Sequence, residues 1–447
     1  MKLRGLLIAA TVLAALLGAL YWSNRHSSNA DSSTKTAADA PTKILSLSAT
    51  DINSLAMQRK NEAPVDLSRN SSGAWQITAP KALAADQDSV SSVLSALSSL
   101  NAERLLEDKA TDLAAYGLAA PAAEITITSK NTKTQKLLIG DQTPSGSAFY
   151  AMLAGDPRLF TLASYNKSSI DKTADDLRDK RLLTADFDKV SQIELITSKE
   201  KKQDITFARN KDAWQILKPA PYRAETYKVE DLVRSLKEAK MESAADEAKD
   251  AAAFQSASPF AIAKISGASG TQELEIRKAK DDYYAKSTAL SGVYKMAATT
   301  ATSMDKPLDD FRNKKLFDFG YEDPNKIEIR DGAKSYFFTH STSDWWGPDG
   351  KKLDDSSVQA LVGNIRDLAA EKFPDSGFNS PSLEITVSSH DSKRVERVSI
   401  AKVASDYIAK REGEPALYQL SSSAISQLEE AAAKVKPVAA PATAKSK

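Results

Sequence analysis

"GAWQITAP", residues 73–80, reads as a strand that puts Trp75 and Ile77 on one face and polar neighbours on the other. It stops at a proline, which cannot donate to a ladder. The chain writes it again as "DAWQILKP" at 212–219, and in shortened form as "DWW" at 344–346. Fifteen residues after Trp75 begins the apolar series Val90, Val93, Leu94, Leu97, Leu100, and fifteen after Trp214 begins Val229, Leu232, Val233, Leu236, Ala239. A third series, Val358, Leu361, Val362, Ile365, Leu368, starts thirteen residues after Trp345. Spacings of three and four put each set on one stripe of a helix that must pack against something apolar. Four residues before each series stands an acid, Asp86, Glu225 or Asp354, placed to accept from free first-turn amides. Aspartate is the better cap and glutamate the weaker.

The correspondence continues downstream. "GLAAPAAEITIT" from Gly117 matches "GFNSPSLEITVS" from Gly377, with "SASPFAIAKIS" from Ser256 as a looser version. Each is a Gly/Pro turn running into a strand carrying Ile125 and Ile127, Ile262 and Ile265, or Ile385 and Val387, the second out of strict alternation. Aromatic pairs follow at nearly fixed spacing: Tyr150 with Phe160, Tyr284 with Tyr294, Tyr407 with Tyr418. They read as cross-strand or core contacts. "DDLRDKRLL" at 175–183 is echoed by "DDFRNKKLF" at 309–317, whereas the third copy ends in "ISQLEEAAAKVK". One unit is thus expected to comprise strands that end with the tryptophan segment, a helix of about four turns, a Gly/Pro turn, further strands and a short charged helix. Short connections make consecutive strands antiparallel, so the class is α+β. The units run over residues 43–186, 187–318 and 319–434, in keeping with 447 residues at roughly 150 per domain.

Sixty basic and fifty-nine acidic residues are mixed along the chain, leaving no field for a phosphate backbone, so nucleic acid is not an expected partner. Without cysteine there is no disulfide, thiolate nucleophile or sulfur-bound zinc. After the short cytoplasmic end at 1–4, with Lys2 and Arg4, residues 5–22 ("GLLIAATVLAALLGALYW") carry no charge. As a helix they would be ~27 Å long, enough to span a bilayer. The positive-inside rule puts everything after residue 22 on the far side, with Tyr21 and Trp22 at the interface. A cleaved signal segment, with Ser28 and Ala30 as small residues near a cleavage site, is the alternative; both export the chain. Residues 23–42 have no large apolar group and read as a tether, and residues 435–447 as a flexible tail.

A search for chemistry finds little. His26, His340 and His390 give neither a metal-ligand spacing nor a triad, "SGASG" at 266–270 has the glycines of a turn, and no phosphate loop or nucleophile elbow is present. No enzyme activity, cofactor or metal is expected; a glycosidase using carboxylates alone is the one chemistry outside this census. The recurring tryptophans read as core. In "DWW" neighbours face opposite sides, which makes Trp346 a candidate partner-facing residue. Arg178, Lys180 and Arg181 are candidates for an anionic partner, against the reading of a solvated helix face balanced by its own acids.

The anchor, the W-Q-I strand, "YGLAAP" at 116–121, "IGD" at 139–141 and "DLRDKRLL" at 176–183 together resemble the bacterial family labelled domain of unknown function 4340. The likeness covers nearly all of residues 1–430 and is weakest in the third copy, which lacks the closing motif. It implies a single-pass protein of the inner (cytoplasmic) membrane with its bulk in the periplasm. It also implies an accessory role beside a permease or auxiliary subunit of a gliding-motility type ABC transporter, and brings no catalytic residue with it. The competing expectation, from Trp346 and the recurrent tyrosines, is an envelope module that binds cell-wall glycan or lipid.

Overall fold

The computed structural model describes residues 42–198, 202–211, 213–242, 247–320 and 324–438. The anchor at 5–22 and the tether, apart from residue 42, lie outside them; among the described residues no helix is long and apolar enough to cross a membrane. Three sheets of nine, eight and seven strands form, with antiparallel pairing throughout the described ladders, and the class is α+β. In the third sheet the spatial order is Asp344–Trp346, Lys334–Ser341, Lys326–Asp331, Leu383–Ser389, Arg394–Val403, Asp406–Arg411, Leu417–Leu420. Three strands meander to the tryptophan, a helix follows, and the chain returns to pair beside the first strand before meandering outward. The other two sheets keep this order and add a two-residue strand outside the tryptophan strand, Leu83–Ala84 or Tyr222–Arg223, the first also adding Arg104–Glu107 beside Leu159–Ala163. By contacts the chain divides into two compact units, residues 1–179 and 180–447, the second holding two of the sheets.

The helices are Gln87–Ser98, Thr226–Lys237 and Asp355–Asp367. All of the expected stripe residues are buried except Val233, which is half-buried against the second core. Each fully buried aliphatic side chain is worth about 1.5–3 kcal/mol of transfer free energy, so the stripe rather than propensity holds a helix this short. The Asp86 and Asp354 carboxylates accept from the backbone N–H groups of Ser89 (2.8 Å) and Ser357 (3.0 Å). Glu225 occupies the same cap position without a side-chain hydrogen bond, its longer side chain being the poorer fit. Trp75, Trp214 and Trp345 are buried in three separate cores. Across the ladder from each lies Arg69, Arg209 or His340, with the arginines over the indole at 4.6 and 5.3 Å and the imidazole at 5.0 Å.

Four expectations change. The closing motif is helical only over Ala174–Leu177 and Leu308–Phe311; Arg178 and Arg312 are extended, so it is one turn followed by a strap and offers no helix face. In the second copy the inward residues are Ala261, Ala263 and Ile265, with Ile262 half-exposed: small side chains hid the alternation. The recurrent aromatic contact is a ring opposite an alanine, Phe160 with Ala151, Tyr294 with Ala285, Tyr418 with Ala409, all buried. Tyr407 stands instead opposite Leu420. Finally, residues 436–438 are not a loose tail, since Lys436 accepts from the Asp354 N–H (2.8 Å) and the Val438 N–H donates to Lys352 (2.9 Å).

That last contact completes a rule. In every copy the cap residue's own N–H donates to a carbonyl of the closing segment: Asp86 to Leu177 (2.8 Å), Glu225 to Phe311 (2.7 Å), Asp354 to Lys436. The strap then enters the next core. Leu177 belongs to the first core, whereas Leu182 and Leu183 belong to the second; Phe311 belongs to the second, whereas Leu316 and Phe317 belong to the third. The sequence division at 186/187 therefore stands beyond the residues where the chain changes cores.

Candidate functional site

The predicted partner-facing residues lie on different elements. Trp346, half-buried, sits on an edge strand paired to Thr339 and Lys352, while its neighbour Trp345 is 1% exposed. Arg178 and Lys180 are half-buried and Arg181 is exposed. Their backbones do structural work, Arg178 bridging Ala85 and Arg181 bridging Lys240. The "YGLAAP" and "IGD" segments meet in the first unit: a β-carbon on Gly140 would sit 2.1 Å from the Tyr116 carbonyl oxygen, which only glycine tolerates. The Tyr116 hydroxyl donates to Glu107 (2.5 Å), a bond to a carboxylate that raises the phenol's pKa, and its ring packs on Tyr150. These motifs thus build a turn over the sheet.

The most densely built polar site lies in the second unit, where the second and third sheets join. The strand residues Glu396 and Arg411 share the inward parity of Ile400 and Ala409, which should be apolar, and both are buried. Glu396 accepts from the Asp318 N–H (3.0 Å) and pairs with Arg411 (3.0 Å) and Arg394 (3.4 Å). Asp318 also pairs with Arg394 at 3.3 Å and with Arg223, of the second sheet, at 2.7 Å. Glu414 stands between Arg223 (2.8 Å) and Arg411 (3.0 Å) and accepts from the Tyr418 hydroxyl (2.6 Å). The Arg223 Nε approach lies off the N–H axis, so it is an ion pair rather than a hydrogen bond; another Arg223 nitrogen donates to the Lys315 carbonyl. Three arginines thus meet three acids. Burial works to lower the Arg223 pKa, but the charges of Asp318, Tyr418 and Glu414 outweigh it and hold the value above normal. Burial pushes the Tyr418 phenol up, against the opposing charge of Arg223.

Beside this network the strap places Arg312, only 8% exposed, between two rings: Tyr222 of the second sheet at 4.1 Å and Phe373 at 3.7 Å. Phe373 in turn packs edge-on against Tyr418. Of these residues only Tyr418, in an aromatic pair, and Arg312, in the echoed closing segment, fall in the repeated motifs. The available signal was charge at inward-facing strand positions, together with the echo that contains Arg312.

The arrangement ties the second sheet to the third through Arg223, Asp318 and Glu414. Every acid in it is engaged by arginine, and among the described residues no group of three His, Asp or Glu could hold a metal. The family described as Domain of unknown function (DUF4340) matches the chain twice, over residues 75–259 and 214–381. The chain belongs to this family. Each of the two DUF4340 matches begins on a repeated tryptophan, Trp75 or Trp214, and together they span well over half of the 447 residues. No curated protein and no solved structure matches the chain.

Proposed function

We propose that this DUF4340 protein is a membrane-anchored accessory protein of the cell envelope. Its modules lie in the periplasm and dock on a permease or auxiliary subunit of an ABC-type transport system, with no reaction of their own. The observation that carries this reading is the clamped junction of the second and third sheets. Fixing two modules before they meet a partner removes ordering entropy that binding would otherwise cost, which suits a docking platform. The uncharged run at 5–22 and the polar linker after it supply an anchor and reach.

The reading is tested by crosslinking in intact membranes followed by identification of the captured protein. A transporter permease or auxiliary subunit is the expected product. Recovery of monomer alone, with transport unchanged on deletion, counts against it. Retention of the protein on isolated cell wall or lipid vesicles, lost in Trp346→Ala, would replace it with a glycan- or lipid-binding module.

A further inference from the structure

The chain enters every module by the same bonds. The Leu182 N–H donates to Ala239 and the Leu316 N–H to Leu368, the last residues of two helix stripes, while Met241 and Ala370 donate back to Lys180 and Lys314. The first module has this entry too: Ile44 donates to Leu100 (3.0 Å) and Ala102 to Thr42 (2.8 Å). These ladders fix which residues correspond. Leu105 and Phe373 each stand four residues past the entry bridge, at Asn101 and Ala369. Each also meets the ring of the closing strand, Leu105 opposite Phe160 and Phe373 packed on Tyr418. Asp156 and Glu414 each stand four residues before that ring and are followed by proline. On the exit side Arg223 and Lys352 correspond, their carbonyls accepting from the Asn313 and Val438 N–H groups (2.9 Å each).

Between the second and third modules these positions are engaged: Arg312 covers Phe373 at 3.7 Å, and Arg223 reaches Glu414 at 2.8 Å. The entry of the first module is open, with Leu105 37% and Leu106 38% exposed, and the exit of the third is open at Val438, 50% exposed. These are three of the seven exposed large apolar side chains among the described residues, so the two faces concentrate apolar surface that water contacts. The charges match as well, Lys352 standing in the place of Arg223 and Asp156 in the place of Glu414. Each has a partner in its own module, Asp344 at 2.8 Å and Arg158 at 2.6 Å. So has Glu414, which takes Arg223 while paired with Arg411 at 3.0 Å, because a carboxylate has lone pairs for two cations. We infer that the exit face of the third module docks on the entry face of the first module of a second copy of this chain, setting Val438 against Leu105 and Leu106 and Lys352 against Asp156. Two unlike faces make a heterologous contact, which leaves each copy one face for the next. Leu153 stands where the third module has Arg411, so the contact carries fewer charges than the joint within the chain and is reversible. The inference is independent of the transporter reading, since the purified chain alone tests it.

The natural chain has no cysteine, so Glu103→Cys and Lys351→Cys each give a full-length protein with one thiol, at an exposed residue beside the entry or the exit face. Co-expressed with different tags, purified in detergent and treated with a short bismaleimide, the two are expected to yield a linked dimer carrying both tags, and either one alone no linked product. Sedimentation velocity of the cysteine-free chain should show association that grows with concentration. Leu105→Glu, which sets a charge in an apolar contact, should weaken it at least about tenfold, and Lys352→Glu about fivefold. Lys352 is exposed, so the second variant keeps the test decisive if Leu105→Glu fails to fold. Three results overturn the inference: a chain that is monomeric at every concentration, linkage within Glu103→Cys alone, which would mean that like faces meet, or association that neither substitution alters.

Discussion

The strap that closes the second module and the chain end that closes the third make the same backbone bond with unrelated side chains. Phe311 and Lys436 each offer a carbonyl to the cap residue of their own helix. The strap, however, carries Arg312 between the rings of two modules and continues into Leu316 and Phe317 of the next core, whereas Lys436 and Val438 bond back to Asp354 and Lys352 of their own module. The backbone requirement is therefore general to the module, and the side-chain requirement belongs to the joint. The N–H of the half-buried cap residue finds a backbone acceptor in every copy, but an arginine is needed only where another module has to be gripped.

A second pair of equivalent bonds sharpens this difference and carries the largest expected effect. In the second module the Thr184 N–H donates to the Gln272 side chain (2.9 Å); in the third the Asp318 N–H donates to Glu396 (3.0 Å). The bond is the same, but glutamine is neutral and half-buried while Glu396 is buried and also neutralises Arg411. Glu396→Ala leaves buried arginine charge without its acid and is expected to cost about 3–5 kcal/mol. Gln272→Ala should cost about 1 kcal/mol, one hydrogen bond. Urea unfolding of the two variants checks the ratio; equal losses would mean that the network adds nothing to the bond.

The adjacent tryptophans offer a comparison of nearly equal size. Trp345 fills the third core at 1% exposure, and Trp346 is half-buried at the sheet edge. Trp345→Ala is expected to destabilise by about 3–5 kcal/mol and Trp346→Ala by under about 1 kcal/mol. Thermal unfolding separates them, and a large loss at Trp346 would remove it as a partner-facing residue.

These cases show what could be read beforehand. The helix stripes, their caps and the buried tryptophans were legible because periodicity and cap chemistry are local properties of the chain. The junction was not, because Glu396 and Arg411 break the inward apolar pattern of their strands and are explained only by each other and by Asp318, 78 residues before Glu396 in sequence, which in turn holds Arg223 of the second sheet. The order of residues 436–438 was hidden for a different reason: it rests on backbone groups that almost any residue carries, so composition alone reads as loose. In the second copy Ala261 and Ala263 occupy core positions that a search for large apolar residues passes over.

The shared cap bond can be removed in the third module without touching a side chain of the core. Truncation after Val435, which packs on the third core and is kept, takes away the Lys436 acceptor and the Val438 donor, and with them the bridge between Leu353 and Pro437. The expected loss is about 1–3 kcal/mol, from the Asp354 N–H left without its partner and one exposed bond. It should appear as faster amide exchange at the start of the Asp355–Asp367 helix, with the second module's Thr226–Lys237 helix unchanged.

The smallest effect is a pH dependence confined to the joint. Burial raises the Tyr418 pKa in the folded state above its ordinary value of 10.0, with the Glu414 hydrogen bond adding to the rise and Arg223 opposing it. A group whose pKa is raised by folding contributes stability that is fully present below its unfolded pKa and is lost as pH rises toward and through the folded value. The loss therefore begins near pH 10 and grows upward; it has no counterpart at neutral pH. Tyr418→Phe removes both the titration and the 2.6 Å bond to Glu414, and should lower stability by about 1 kcal/mol at pH 8. Its deficit against the parent should then shrink between pH 10 and 11 as the parent loses the tyrosine's contribution. Other tyrosines titrate in both proteins and cancel in the difference. A deficit that stays constant across this range would mean that the phenol ionises as freely in the junction as in the unfolded chain, and that the network does not exclude water from Tyr418.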